Sequence, residues 1–128
     1  MLLERSPVIL RAGFIVVLVA AGLAVWLGDA AGQRLKQKPD LDAGERIYKQ
    51  NCINCHGPSG KGDGAAAEQL NPKPTDLTSP ATQAKKDAEL LEVIKVGRPG
   101  TAMPGWMSEI DERELRDVLA YIRTLSGQ

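Results

Sequence analysis

Apolar and polar positions follow three different rhythms along this chain. Residues 12–28, AGFIVVLVAAGLAVWLG, form an unbroken apolar run without a single charge. At helical rise the run spans roughly 25 Å, the short end of what crosses a bilayer. A polar connector, Asp29 to Leu41, follows with Gln33, Arg34 and Pro39, and it reaches at most about 45 Å when extended. Beyond it the spacing turns helical. A first helix is predicted from Asp42, where Asp42-x-x-Glu45 offers a capping box, through Ile47 and Tyr48 toward Cys52. A second starts near Asp87 and carries Leu90, Leu91, Val93 and Ile94, with Gly97 as its C-cap and Pro99 as its stop. In the third, Asp111-x-x-Glu114 caps a stripe of Leu115, Val118, Leu119, Ile122 and Leu125. Gly57–Ala84, between the first two, is rich in Gly and Pro and shows no strand-like alternation. A stretch that long without regular structure is normally functional or wrapped on something.

Charge and composition narrow the picture. Lys+Arg and Asp+Glu both number 16, so no basic excess points to nucleic acid. Arg5 and Arg11 precede the apolar run and fit a cytoplasmic N-terminus, which places the rest of the chain on the exported side. Residues 1–28 are therefore read as a signal-anchor and transmembrane helix, 29–41 as a linker and 42–128 as one exported domain. A cleaved signal ending at Ala30 or Gly32 is the alternative, although neither site is an A-x-A. Phe14 and Trp26 lie in the apolar run, leaving the domain Tyr48, Trp106 and Tyr121 as its aromatics. A domain this small and this poor in large side chains needs something else in its core. The fold class expected is all-α, helices and long loops around a non-protein core.

The chemistry lies in "NCINCHG". Cys52, Cys55 and His56 are all the cysteines and the only histidine in the chain. A structural zinc site wants four Cys/His ligands and three exist. A thioredoxin-like pair belongs beside a βαβ pattern, which is missing, and a disulfide over so short a loop stabilises little. Cys-x-x-Cys-His instead fits covalent c-type haem attachment. The thiols add to the two haem vinyl groups, and the next residue offers its imidazole to the iron. A second histidine ligand is excluded. Met103, in GTAMPGW, is the favoured sixth ligand, because Pro104 denies its loop a helix. Met107 precedes the third helix, where a methionine more often packs. An iron with an open sixth position is the remaining alternative.

"CINCHG", "GKGDG", "NPKPTDL", "VGRPGTAMPGW" and "VLAYIRTL" resemble a class I c-type cytochrome of the bacterial mono-haem kind over about residues 42–126. The resemblance implies a cytochrome c fold in which the first and last helices cross, with Gly44, Tyr48 and Tyr121 at the crossing. It also implies a carbonyl for Nδ1–H of His56, for which Pro72 is the candidate. Ala65 after "GDG" departs from the proline of many relatives.

GPSGKGDG is not a phosphate loop, since it lacks G-x-x-x-x-G-K-[ST] and follows no strand. Trp106 offers a haem propionate its indole N–H or caps the haem as an apolar lid. Arg98 is a propionate partner through a charge-assisted bond or a solvated surface cation. Lys61, Lys73, Lys85, Lys86, Lys95 and Arg98 are matched one for one by Asp63, Glu68, Asp76, Asp87, Glu89 and Glu92, so no salt-steered docking pole is expected. The resulting reading is a membrane-anchored mono-haem electron carrier, not an enzyme, held through residues 12–28 on the periplasmic side of the bacterial cytoplasmic membrane. The resemblance implies a quinol-oxidising complex as donor and a terminal oxidase or reductase as acceptor, in a respiratory or photosynthetic chain. A fixed haem c subunit of a larger oxidoreductase is the alternative, for which Gly13, Ala20, Ala21, Gly22 and Ala24 offer helix-packing positions. An open-site haem sensor or enzyme is the third.

Overall fold

The computed structural model describes residues 37–127, and Lys38–Gln128 form one compact unit. The apolar run at 12–28 lies outside the described residues. Among those described, no helix is long and apolar enough to cross a membrane, and no β-strand occurs. The elements are α1 (Leu41–Asn51), α2 (Ile53–His56), a 3-10 turn at Ala67–Gln69, α3 (Pro80–Gln83), α4 (Asp87–Val96), α5 (Glu112–Thr124) and a closing 3-10 turn at Leu125–Gly127.

The ends of α4 and α5 fall where local chemistry places them. Asp111 accepts from the N–H groups of Arg113 and Glu114, and Glu114 reaches back to the N–H of Asp111, a complete capping box. Gly97, with φ 78°, ends α4. The start of α1 differs from the sequence expectation. Its N-cap is Asp40, whose carboxylate accepts from the N–H groups of Asp42 and Ala43 at 3.0 Å. Asp42 is in the first turn instead, where an acid meets the positive end of the helix dipole. The one-turn helix α3 was not expected inside the long loop. Its signal is nonetheless present: Ser79 caps it and Pro80 occupies its first turn, a pairing typical of helix starts.

The crossing of α1 and α5 organises the core. A Cβ on Gly44 would collide with the Asp117 backbone, lying 2.6 Å from its carbonyl carbon and 3.0 Å from Cβ of Tyr121. Only glycine allows that approach. Below it the rings of Tyr48 and Tyr121 pack tilted at 53°, with centroids 5.4 Å apart, a favoured aromatic geometry. The buried carboxylate of Asp117 accepts from the Asp40 N–H at 2.9 Å and latches the start of α1 onto α5. Arg123 of α5 donates to both Asp87 Oδ1 (2.7 Å) and the Gln83 carbonyl (2.9 Å), fastening the α3–α4 corner. Lys95 pairs with Glu112 at 2.8 Å and joins α4 to α5. The core is thin: Tyr48, Leu115 and Val118 are the largest fully buried side chains.

Candidate haem site

Cys52 closes α1 and opens α2, and its carbonyl accepts from the N–H groups of Cys55 (3.2 Å) and His56 (2.9 Å). The motif is thus one helical turn, which sets both thiols on one side. Tyr48 fixes that turn from α1 by donating its hydroxyl to the Gly57 carbonyl at 2.7 Å. Burial pushes the Tyr48 phenol well above its usual value, so the donor keeps its proton. Burial, with Cys55 beside it, also pushes the Cys52 thiol up to about 11.

The imidazole of His56 lies with Nδ1 3.0 Å from the carbonyl oxygen of Thr75. A carbonyl only accepts, so Nδ1 carries the proton and Nε2 keeps its lone pair. Burial lowers the pKa of the ring, the Thr75 bond opposes that shift, and the positive Arg98 adds to it. The net result is a neutral imidazole in the tautomer a metal ligand requires. Pro72, expected to supply the carbonyl, does not. It is exposed on the cleft wall, and the chain needs three further residues before its peptide turns toward the ring.

Cys52, Cys55 and His56 line a cleft of about 370 Å³, within the range of small-molecule and cofactor sites. The same cleft is lined by Met103, Trp106, Arg98 and Pro72, so every sequence-derived site residue reaches it. Its floor is the core itself, with Leu90, Ile94, Val118, Leu119 and Ile122 belonging to both. Met107 is 67% exposed and is absent from the lining. The Met103 loop is held at both ends. Arg98 N–H donates to the Met103 carbonyl (3.1 Å), and Trp106 N–H donates to the Ile94 carbonyl (3.0 Å). Behind Met103, Gly97 and Gly105 press backbone to backbone: a Cβ on Gly105 would lie 2.6 Å from the Lys95 carbonyl oxygen. Thr75, Asp40 and Gly105 escaped the sequence reading. Thr75 stood within the stretch "NPKPTDL", but a carbonyl has no residue-type signature.

These residues fit a haem. An apolar cleft with two thiols on one side, a neutral imidazole and a thioether is the donor set of a covalently attached c-type haem. The fold and site define a class I c-type cytochrome domain with one haem c, joined through Cys52 and Cys55. The chain belongs to the family described as cytochrome c oxidase, cbb3-type, subunit III, whose profile matches residues 39–122. It is 30% identical over 105 residues to the cbb3-type cytochrome c oxidase subunit FixP of Bradyrhizobium diazoefficiens, covering 82% of this chain and 34% of FixP. The chain thus spans about a third of the oxidase subunit it matches. Cytochrome c55X of Stutzerimonas stutzeri is 32% identical over 114 residues, covering 85% of this chain and 84% of the relative. A solved reducing HAO-like protein complex of Kuenenia stuttgartiensis superposes with a TM-score of 0.60 at 25% identity, over 69% of this chain and 43% of that one.

Proposed function

We propose that this protein is a membrane-anchored mono-haem cytochrome c that passes single electrons between redox partners. His56 and Met103 are the axial iron ligands in this reading. The observation that carries it is the placement of the two methionines: Met103 lines the cleft with Cys52, Cys55 and His56, while Met107 faces solvent. Methionine is a soft, neutral donor that raises the reduction potential, and a six-coordinate iron moves electrons without binding oxygen or peroxide. Arg98 and Trp106 border the cleft as propionate partners. Lys73 and Lys85 on the same wall are paired with Glu68 and Glu89, whereas Arg98 has no ion pair among the described residues.

Residues 12–28 would hold the haem domain on the periplasmic face of the bacterial cytoplasmic membrane, with a quinol-oxidising complex as donor and a terminal oxidase or reductase as acceptor. The cbb3-type oxidase subunits among its relatives support an oxidase as the acceptor. The same family match favours a second reading, a fixed haem c subunit of such a complex. Purification of the intact chain in mild detergent separates the two: a carrier comes away alone, a subunit brings its complex. Met103→Ala should abolish the methionine–iron charge-transfer band and open the reduced protein to carbon monoxide, while Met107→Ala leaves both unchanged. A Met103→Ala spectrum like the wild type's would establish the open-site alternative.

A further inference from the structure

Gly62 touches both the His56 backbone and the segment that holds its ring. Its N–H donates to the His56 carbonyl at 2.9 Å, closing the turn after α2. Its other face presses on the segment that holds the ring. A Cβ built on Gly62 would collide with the Pro74 carbonyl oxygen and lie 3.2 Å from Pro74 carbonyl carbon and 3.5 Å from that of Thr75. The next carbonyl oxygen along, that of Thr75, accepts from His56 Nδ1 at 3.0 Å. Two residues further, Leu77 N–H donates to the Gly60 carbonyl at 2.7 Å, so the segment cannot simply slide away from the loop it rests on. Displacing Pro74 with Leu77 pinned must turn the peptides between them, and one of these, Thr75–Asp76, carries the acceptor. Gly62 also has φ +78°, a conformation unfavourable for any side chain.

We propose that Gly62 is a positioning residue for the proximal histidine: its bare Cα admits the Pro74–Thr75 backbone to the distance at which the Thr75 carbonyl holds the imidazole, and through that bond it sets the reduction potential of the iron. The inference rests on His56 being the iron ligand. A hydrogen bond at Nδ1 makes the imidazole a stronger donor, which favours ferric iron and lowers the potential. Weakening the bond therefore raises it.

The test compares Gly62→Ala with Gly100→Ala in the full-length holo-protein. Gly100 shares the positive φ, +77°, but a Cβ at that position would have nothing within 4 Å, so it carries the backbone penalty without the collision. Redox titration and the exchange rate of the His56 Nδ1 proton by NMR are the readouts. Gly62→Ala is expected to raise the midpoint potential and speed that exchange while keeping the methionine–iron band. Gly100→Ala is expected to lose stability with wild-type proton exchange. A Gly62→Ala protein with wild-type midpoint and wild-type exchange overturns the inference. Should Gly62→Ala fail to mature, Pro74→Gly leaves Gly62 in place and loosens the segment pressed on it. It must shift the midpoint in the same direction, and an unshifted value there also overturns the proposal. A wild-type protein without a histidine–iron signature would instead sink the ligand assignment itself, which the same spectra report separately.

Discussion

Arg98 bears on the site in two ways, its N–H holding the Met103 carbonyl and its charge acting on His56. Its guanidinium already disfavours the protonated ring of His56 across the cleft, and it borders the cleft without an ion pair among the described residues. A fixed positive charge near the iron favours the ferrous state. Arg98→Gln should therefore lower the midpoint potential, with the methionine–iron band retained. A redox titration showing no change would assign Arg98 to the solvated surface. The residue types of the site were legible in the sequence because thioether formation and iron ligation demand particular side chains. The acceptor for His56 was not, because any residue's carbonyl serves and only the path of the loop selects Thr75.

At the scale of elements, the α1–α5 crossing and the α3–α4 corner govern how firmly the cleft is built. Gly44→Ala forces a methyl into the Asp117 backbone and should cost about 3 kcal/mol, read from chemical denaturation of the holo-protein. Arg123→Ala removes several charge-assisted bonds to Asp87 and the Gln83 carbonyl and should cost about 2 kcal/mol. The helix cap of α1 is pH-dependent. The Ala43 N–H, with that of Asp42, holds the Asp40 carboxyl below its ordinary 3.8. Its stabilisation is complete above that ordinary value and is lost as pH falls through the lower folded one. Asp40→Asn keeps an acceptor but cannot titrate, so its acid-unfolding limb should be shallower than the wild type's. The helix periods of α4 and α5 were readable from their apolar stripes. The start of α1 was not, because Asp40 and Asp42 are both acids able to cap, and the bond from the Asp40 N–H to Asp117 decides between them.

For the whole molecule, the haem is part of the core. Leu90, Ile94, Val118, Leu119 and Ile122 are core residues that also line the cleft, so a haem seated there extends the same apolar core. Cys52→Ser with Cys55→Ser should leave the haem domain largely unfolded, seen as collapsed amide dispersion and loss of a cooperative melt. A dispersed apo-protein with a sharp transition would refute this. Formal charge is zero, and Lys73, Lys85 and Lys95 are each paired with a glutamate. Electron transfer to a redox partner should accordingly vary little with ionic strength in stopped-flow measurements; a steep salt dependence would reveal a docking pole that the pairing conceals.

The sequence alone determined the cofactor and its attachment, since Cys52, Cys55 and His56 act within one helical turn and their chemistry is local. It also narrowed the candidates for a sixth ligand to Met103 and Met107. The tertiary structure decided which carbonyl holds His56, which acid caps α1, and how Gly62, Gly97 and Gly105 bring backbones together behind the two candidate ligands. Those choices depend on where segments far apart in the chain meet, and no local pattern encodes a meeting point.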